Sequence, residues 1–234
     1  MLRWLRRRRP SGPAIELRPR DVHCHVIPGV DDGSRSEDES LRMLALLHEA
    51  GARQVIATPH IFPGRFDNEP DPLRRGFEAL QRACQQAEIP VELELGAEHY
   101  LGPALQRRVE RDAVLAFGPE RYVLFETPTT PHVPVGLLEL VYALRDRGYT
   151  PLLAHVERYP YLRDDGGEEL CEDLRAAGAR FQVNRTVRGS NRPGHGTRGR
   201  FIAGLMERDW IDEVGSDLHR ATPEGRPYPG RPAK

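Results

Sequence analysis

The stretch Asp21–Ser36 reads DVHCHVIPGVDDGSRS. On an extended strand successive side chains alternate faces, so His23 and His25 point one way and Cys24 the other. Two imidazoles on one face form a chelating pair. A Pro28-Gly29 turn then brings in Asp31 and Asp32. Alone, His-x-His is a weak signal for metal. Its meaning depends on whether further ligands stand where the chain returns.

Outward from this stretch, strand and helix signals alternate. A short strand over residues 15–25 leads into the motif. Ser36 with Glu39 three residues on is a capping-box pattern, and Leu41, Leu44 and Leu47 recur at helical spacing before Gly51. A strand over 54–57 runs into Thr58-Pro59-His60. Asp71-Pro72 opens a helix to about Gln86, and Val91, Leu93 and Leu95 alternate as a strand ending in Gly96-Ala97-Glu98. A helix over 103–109 precedes a strand over 121–125 that ends at Glu126. A helix over 135–147 carries Leu137, Leu140, Val141 and Leu144 on one side, and the next strand, 151–154, ends at His155. Further on, a helix over 168–177, a strand over 180–183 ending at Asn184, a polar glycine-rich loop, a helix over 201–208 and a strand over 210–214 lead to Ser216-Asp217-Leu218-His219.

Strands alternating with helices call for a parallel sheet, either closed into a barrel or doubly wound. The polar residues discriminate. His23, His25, His60, Glu98, Glu126, His155, Asn184, Asp217 and His219 all fall at the carboxyl ends of successive strands. In a barrel those ends converge on one rim, whereas a doubly wound sheet unites only the strands beside its switch point. The expected fold is therefore α/β, a barrel of seven parallel strands whose polar residues meet on one rim. One barrel domain over residues 15–221 is expected between a disordered basic tail, 1–14, and a Pro/Gly/Arg-rich tail, 222–234.

Composition narrows the chemistry. The formal net charge of −1 on 234 residues offers no global attraction for nucleic acid. Lys234 is the only lysine, which excludes Schiff-base, Walker-type and carboxylated metal-bridging lysines. Cys24, Cys84 and Cys171 lack metal spacing, and none has an arginine six residues downstream as in Cys-based phosphatases. Their pattern fits a reducing cytoplasm. No apolar run has membrane-spanning length, and MLRWLRRRRP lacks a signal-peptide core. The Arg6–Arg9 cluster is read as a solvated tail.

The strand ends collect five histidines (His23, His25, His60, His155, His219) and four carboxylates (Asp32, Glu98, Glu126, Asp217). One such residue often caps a helix or packs. Nine at equivalent strand ends exceed that explanation and also exceed the needs of a single ion. Imidazole and carboxylate without thiolate suit Mn, Fe(II), Zn or Mg, and two or three clustered ions are implied.

Together the motifs His23-x-His25, Asp31-Asp32-Gly33, Thr58-Pro59-His60, Gly96-Ala97-Glu98, Ala154-His155-Val156-Glu157-Arg158-Tyr159 and Ser216-Asp217-Leu218-His219 resemble the polymerase-and-histidinol-phosphatase (PHP) superfamily. Within it they resemble the branch of manganese-dependent protein-tyrosine phosphatases encoded with bacterial capsule and exopolysaccharide genes. That resemblance covers about Asp21 to Pro227 and implies a distorted (β/α)7 TIM-like barrel with a metal site at the carboxyl ends of its strands, holding three divalent ions, Mn2+ foremost, with Fe2+, Zn2+ or Mg2+ as alternatives. It implies one ion on His23, His25, Glu98 and Asp217, a second on Glu98, Glu126 and His155, and a third on Asp32, His60 and His219. It further implies that Asp31 supports the turn and that Arg158 and Arg226 clamp the phosphate. The loop after His219 is longer here than in the family pattern, and the sequence stops at Lys234 where relatives continue into a helical segment.

Three divalent ions, four carboxylates and a bridging hydroxide sum to about +1, which attracts a phosphate dianion. The chemistry implied is in-line attack by metal-activated hydroxide on phosphorus without a phosphoenzyme. The expected substrate is phosphotyrosine in a protein, such as a bacterial tyrosine kinase controlling polysaccharide export. The alternatives are a small-molecule phosphatase of the histidinol-phosphate type or a phosphodiesterase on the same barrel, a metal-binding regulator without catalysis, and an arginine-tailed nucleic-acid binder. Among other residues, His48 and His99 read as packing. Phe62 and Phe66 read as packing or as a platform for a phenol ring. His195, Arg185, Arg188 and Arg192 read as a solvated loop or a substrate entrance.

Overall fold

A computed structural model of the chain describes residues 19–185 and 196–222. Arg226, His195, Arg188, Arg192, Arg6–Arg9 and the first residues of the expected opening strand lie outside these.

Among the described residues nine strands occupy seven positions in the sheet, and every pairing between them is parallel. β1 (Arg20–Cys24), β2 (Gln54–Ala57) and β4 (Glu92–Leu95) form one ladder. β3 (His60–Ile61), β5 (Glu98–Tyr100), β6 (Tyr122–Glu126), β7 (Thr150–Leu153), β8 (Arg180–Asn184) and β9 (Glu213–Gly215) form the other. β2 continues into β3 across Thr58-Pro59, and β4 into β5 across Gly96-Ala97. The breaks have local causes. Pro59 has no N–H to give a ladder, and a Cβ at Gly96 would lie 2.6 Å from Cδ1 of Phe117. Hydrogen bonds from Gly96 N to Ala57 O (2.9 Å) and from Glu98 N to Pro59 O (3.0 Å) bridge the gap.

The barrel closes where β9 meets β1. Asp217 N donates to His23 O at 2.7 Å, and His25 N donates to Leu218 O at 3.0 Å. The buried Asp21 carboxylate fastens the seam from below, accepting from Ser216 N at 2.8 Å and from His23 N at 3.2 Å. This seam joins residues almost 200 positions apart, and it brings Asp217 and His219 beside His23 and His25.

The helices are α1 (Glu37–Glu49), α2 (Pro70–Gln86), α3 (Pro103–Glu110), α4 (Leu137–Asp146), α5 (Pro160–Arg163), α6 (Gly167–Ala177) and α7 (Thr197–Glu207). Leu137, Leu140, Val141 and Leu144 of α4 are all buried against the sheet, as their spacing predicts. The expected capping box forms only in half. Ser36 Oγ accepts from Glu39 N at 3.2 Å, but Glu39 Oε2 accepts from Arg35 N at 3.2 Å and Oε1 from Arg220 Nε at 3.1 Å. The helix start is thereby tied to the loop after His219. α4 begins at Leu137 rather than 135, because Gly136 enters it at φ +84° and Val135 stands in solvent. The last strand is shorter than expected, and α7 starts four residues earlier. A 3-10 turn over Val156–Arg158 and the four-residue α5 follow β7.

Candidate metal centre

Each strand delivers its side chains as its last residues enter the rim. β1 presents His23 and, just past its end, His25. Cys24 points the other way into an apolar cluster, with Sγ 3.5 Å from Leu218 O. Two rim residues sit in left-handed backbone, His155 at φ 34° and Asp217 at φ 51°. A non-glycine residue there costs on the order of 1–3 kcal/mol and persists where surroundings over-determine it. Both aim their side chains at the barrel axis.

All nine expected donors converge. Glu98 is the hub: Oε2 lies 3.1 Å from His23 Nε2, 3.4 Å from His25 Nε2 and 3.1 Å from His60 Nδ1, while Oε1 lies 2.9 Å from His155 Nε2. Asp217 Oδ1 lies 3.4 Å from both His23 Nε2 and His25 Nε2, whose two nitrogens are 3.2 Å apart. Glu126 approaches His60 Nδ1 at 3.2 Å and His155 Nε2 at 4.0 Å. Asp32 Oδ1 lies 3.5 Å from His60 Nε2 and 3.5 Å from His219 Nε2. Compact donor sets form at His23–His25–Asp217, His23–Glu98–His155, His60–Glu98–Glu126 and His25–His60–His219. His60 thus lies between two sets, its two ring nitrogens facing opposite ways.

These distances fit cations. Ligands about 2.1 Å from an ion stand about 3.0 Å apart in an octahedron and about 3.4 Å apart in a tetrahedron, the spacing found here. Asp217 Oδ1 and His60 Nδ1 are buried and make no hydrogen bond, although each has counter-charged neighbours within 3.4 Å. They are aimed at shared points rather than at one another. The carboxylates also draw positive charge inward. Burial alone would lower the pKa of His23, yet Glu98 and Asp217 raise it to about 9. Burial would raise Glu98, and the coulombic pull of His23 and His60 holds it well below the usual carboxylate range.

Around the donors, Arg158 pairs with Asp217 Oδ2. Asp31 is buried beneath the rim and binds His25 Nδ1 at 2.9 Å. The mouth carries a tight hairpin, Phe62–Phe66, in which Phe66 lies parallel to the His60 ring (5.2 Å, 9°) and Phe62 stacks on Tyr100 at 3.7 Å. Arg65 of this hairpin reaches Asp32 at 3.6 Å. His99 is a packing residue: it is buried, its Nε2 accepts from Leu115 N at 3.3 Å, and burial lowers its pKa to about 3. Sequence reasoning missed Tyr100, Arg65 and above all Gln182, which contacts His23 and His155. No motif marks an interior strand glutamine.

A parallel barrel whose rim gathers nine nitrogen and oxygen donors defines a metal-dependent hydrolase built on the TIM-like plan. Residues 20–228 match the family described as capsular polysaccharide synthesis, CpsB/CapC, and the chain belongs to that family. It is 31% identical over 200 residues to tyrosine-protein phosphatase YwqE of Bacillus subtilis, covering 85% of this chain and 76% of the relative. It is 26% identical over 206 residues to tyrosine-protein phosphatase CpsB of Streptococcus pneumoniae, covering 85% and 82%. A crystal structure from work on YwqE and CpsB, described as unique metal-dependent tyrosine phosphatases, superposes with a TM-score of 0.74 at 29% identity over 86% of this chain and 79% of that one.

Proposed function

We propose that the chain is a metal-dependent phosphatase that hydrolyses phosphotyrosine in a protein partner, a tyrosine kinase of capsule or exopolysaccharide export. The observation that carries this reading is the convergence of the nine donors on Glu98, at ligand spacing, in a chain of this family. His23, His25, Glu98 and Asp217 would hold one ion, Glu98, Glu126 and His155 a second, and Asp32, His60 and His219 a third. Manganese is the proposed metal, and the cytoplasm the proposed compartment, since all three cysteines are free and buried. Among the described residues no helix is long and apolar enough to cross a membrane.

Divalent ions, when bound, supply positive charge for phosphoryl oxygens and bring the pKa of a coordinated water toward about 7. The chain's own residues do the rest. Glu98 and Asp217 neutralise and space the cations. Arg158, anchored by Asp217, offers its guanidinium beside the centre as one arm of a phosphate clamp. Arg226 is the proposed second arm. A tyrosine ester leaves as a phenolate of pKa about 10, so its departure depends less on protonation than that of a serine ester. The phenol ring would lie against the Phe62–Phe66 hairpin.

The test measures metal content and then compares phosphotyrosine peptide, phosphoserine peptide, histidinol phosphate and a phosphodiester, with and without added manganese. Expected is manganese-dependent, phosphotyrosine-preferring hydrolysis that collapses in His155→Ala. Activity indifferent to a strong chelator would overturn the reading.

A further inference from the structure

Gln182 lies in the middle of β8, fully buried beneath the donor cluster. Its amide makes four hydrogen bonds, and together they determine its orientation. The His155 backbone N–H approaches one end at 2.8 Å and can only donate, so that end is the oxygen, Oε1. The other end lies 2.7 Å from the Val183 carbonyl oxygen, which can only accept, so that end is the NH2 group.

Two consequences propagate from this orientation. His23 Nδ1 lies 3.1 Å from the same Oε1. Facing an oxygen, Nδ1 carries a proton, so in the neutral ring, the form that takes a cation, the Nε2 lone pair is the one turned toward His25, Glu98 and Asp217. The second amide N–H reaches Asn184 Oδ1 at 2.9 Å. That orients Asn184 in turn, so its Nδ2 donates to Asp217 Oδ2 at 2.8 Å and Asp217 Oδ1 is left facing the imidazoles.

Taking the rim as the metal centre read above, we propose that Gln182 and Asn184 are its positioning residues. They form a hydrogen-bond relay that selects the His23 tautomer, pins the left-handed backbone of His155 and turns Asp217 so that one oxygen faces the ions. Three donors from three strands are thereby set by one buried strand, β8, which contributes no ligand. The backbone of β9 crowds the same residue: a Cβ on Gly215 would lie 2.4 Å from His23 Cβ and 3.0 Å from Gln182 Nε2. Backbone thus crowds His23 at Cβ, and the Gln182 amide holds its ring at Nδ1. Removing the acceptor would let the neutral ring populate the wrong tautomer, whose Nε2–H cannot ligate.

The test uses the full-length chain with zinc as the probe, its affinity read by competition with a chromophoric chelator. Gln182→Met and Asn184→Leu should each bind zinc about 10- to 100-fold more weakly than the parent, with unchanged far-ultraviolet circular dichroism. In the zinc-loaded parent, nitrogen-15 histidine spectra should show a slowly exchanging proton on His23 Nδ1. Gln182→Met should lose that signature and Asn184→Leu should keep it. Parental zinc affinity in both variants, or a His23 proton on Nε2 in the parent, would overturn the relay. If Gln182→Met does not fold, Asn184→Leu and the parental spectrum decide the question. A parent that takes up no zinc would instead overturn the metal-centre reading and the relay together.

Discussion

The carboxylate of Asp31 lies 2.9 Å from Nδ1 of His25, and the same side chain accepts from Gly33 N at 2.9 Å and from His60 N at 3.0 Å. Burial would raise its pKa, but His25 outweighs that and holds Asp31 below the usual carboxylate range. The side chain of its neighbour Asp32 is 43% exposed and, among the described histidines, approaches His60 Nε2 and His219 Nε2. The pair therefore divides into a support and a rim donor. Asp31→Ala leaves buried donors without partners, at about 1–3 kcal/mol each. Scanning calorimetry should show a marked fall in Tm as well as metal loss. Asp32→Ala should lose metal with little change in Tm. Equal Tm values for the two variants would refute the division.

Gly215 should tolerate no side chain. The 2.4 Å approach of a Cβ to His23 Cβ is far inside contact, and both partners are held by the seam between β9 and β1. Gly215→Ala is expected to cost about 1–3 kcal/mol through overpacking, read as a lower urea midpoint at unchanged slope. The metal content of the purified protein should fall with it, because the displaced ring is His23.

The hairpin at the mouth should govern preference for aryl over alkyl phosphates. Phe66 lies parallel to His60, and aromatic pairing contributes about 0.5–1.5 kcal/mol. Phe66→Ala should raise KM for a phosphotyrosine peptide about 2- to 12-fold and leave KM for an alkyl phosphate unchanged. A uniform rise for both substrates would place the effect on His60 instead.

The thiols should be inert and dispensable. Burial pushes Cys24 well above its ordinary pKa and Cys171 up to about 12, so at neutral pH neither is a thiolate. Native protein should resist iodoacetamide at both, and Cys24→Ser should keep activity. Rapid alkylation of Cys24 in the folded chain, with loss of hydrolysis, would contradict its placement behind the rim.

Much of this molecule was legible in its sequence because the informative residues are local to each βα unit. His23 and His25 share a face by strand alternation, and a strand followed by a helix places His60, Glu98, Glu126 and His155 at equivalent ends. Leu137, Leu140, Val141 and Leu144 of α4 likewise announce a buried face by spacing alone. The parallel barrel and the set of side chains that meet on its rim follow from such short-range pattern. What only the tertiary structure decided depends on contacts between distant segments: closure through Asp217 N and His23 O, the placement of His60 between two donor sets, and the pairing of Arg158 with Asp217. Above all, the sequence names the side chains that converge but not what aims them. Gln182 reaches His23 across 159 positions and His155 across 27, and Asp31 reaches His60 across 29. A hydrogen bond acts through direction and distance in space, and separation along the chain encodes neither.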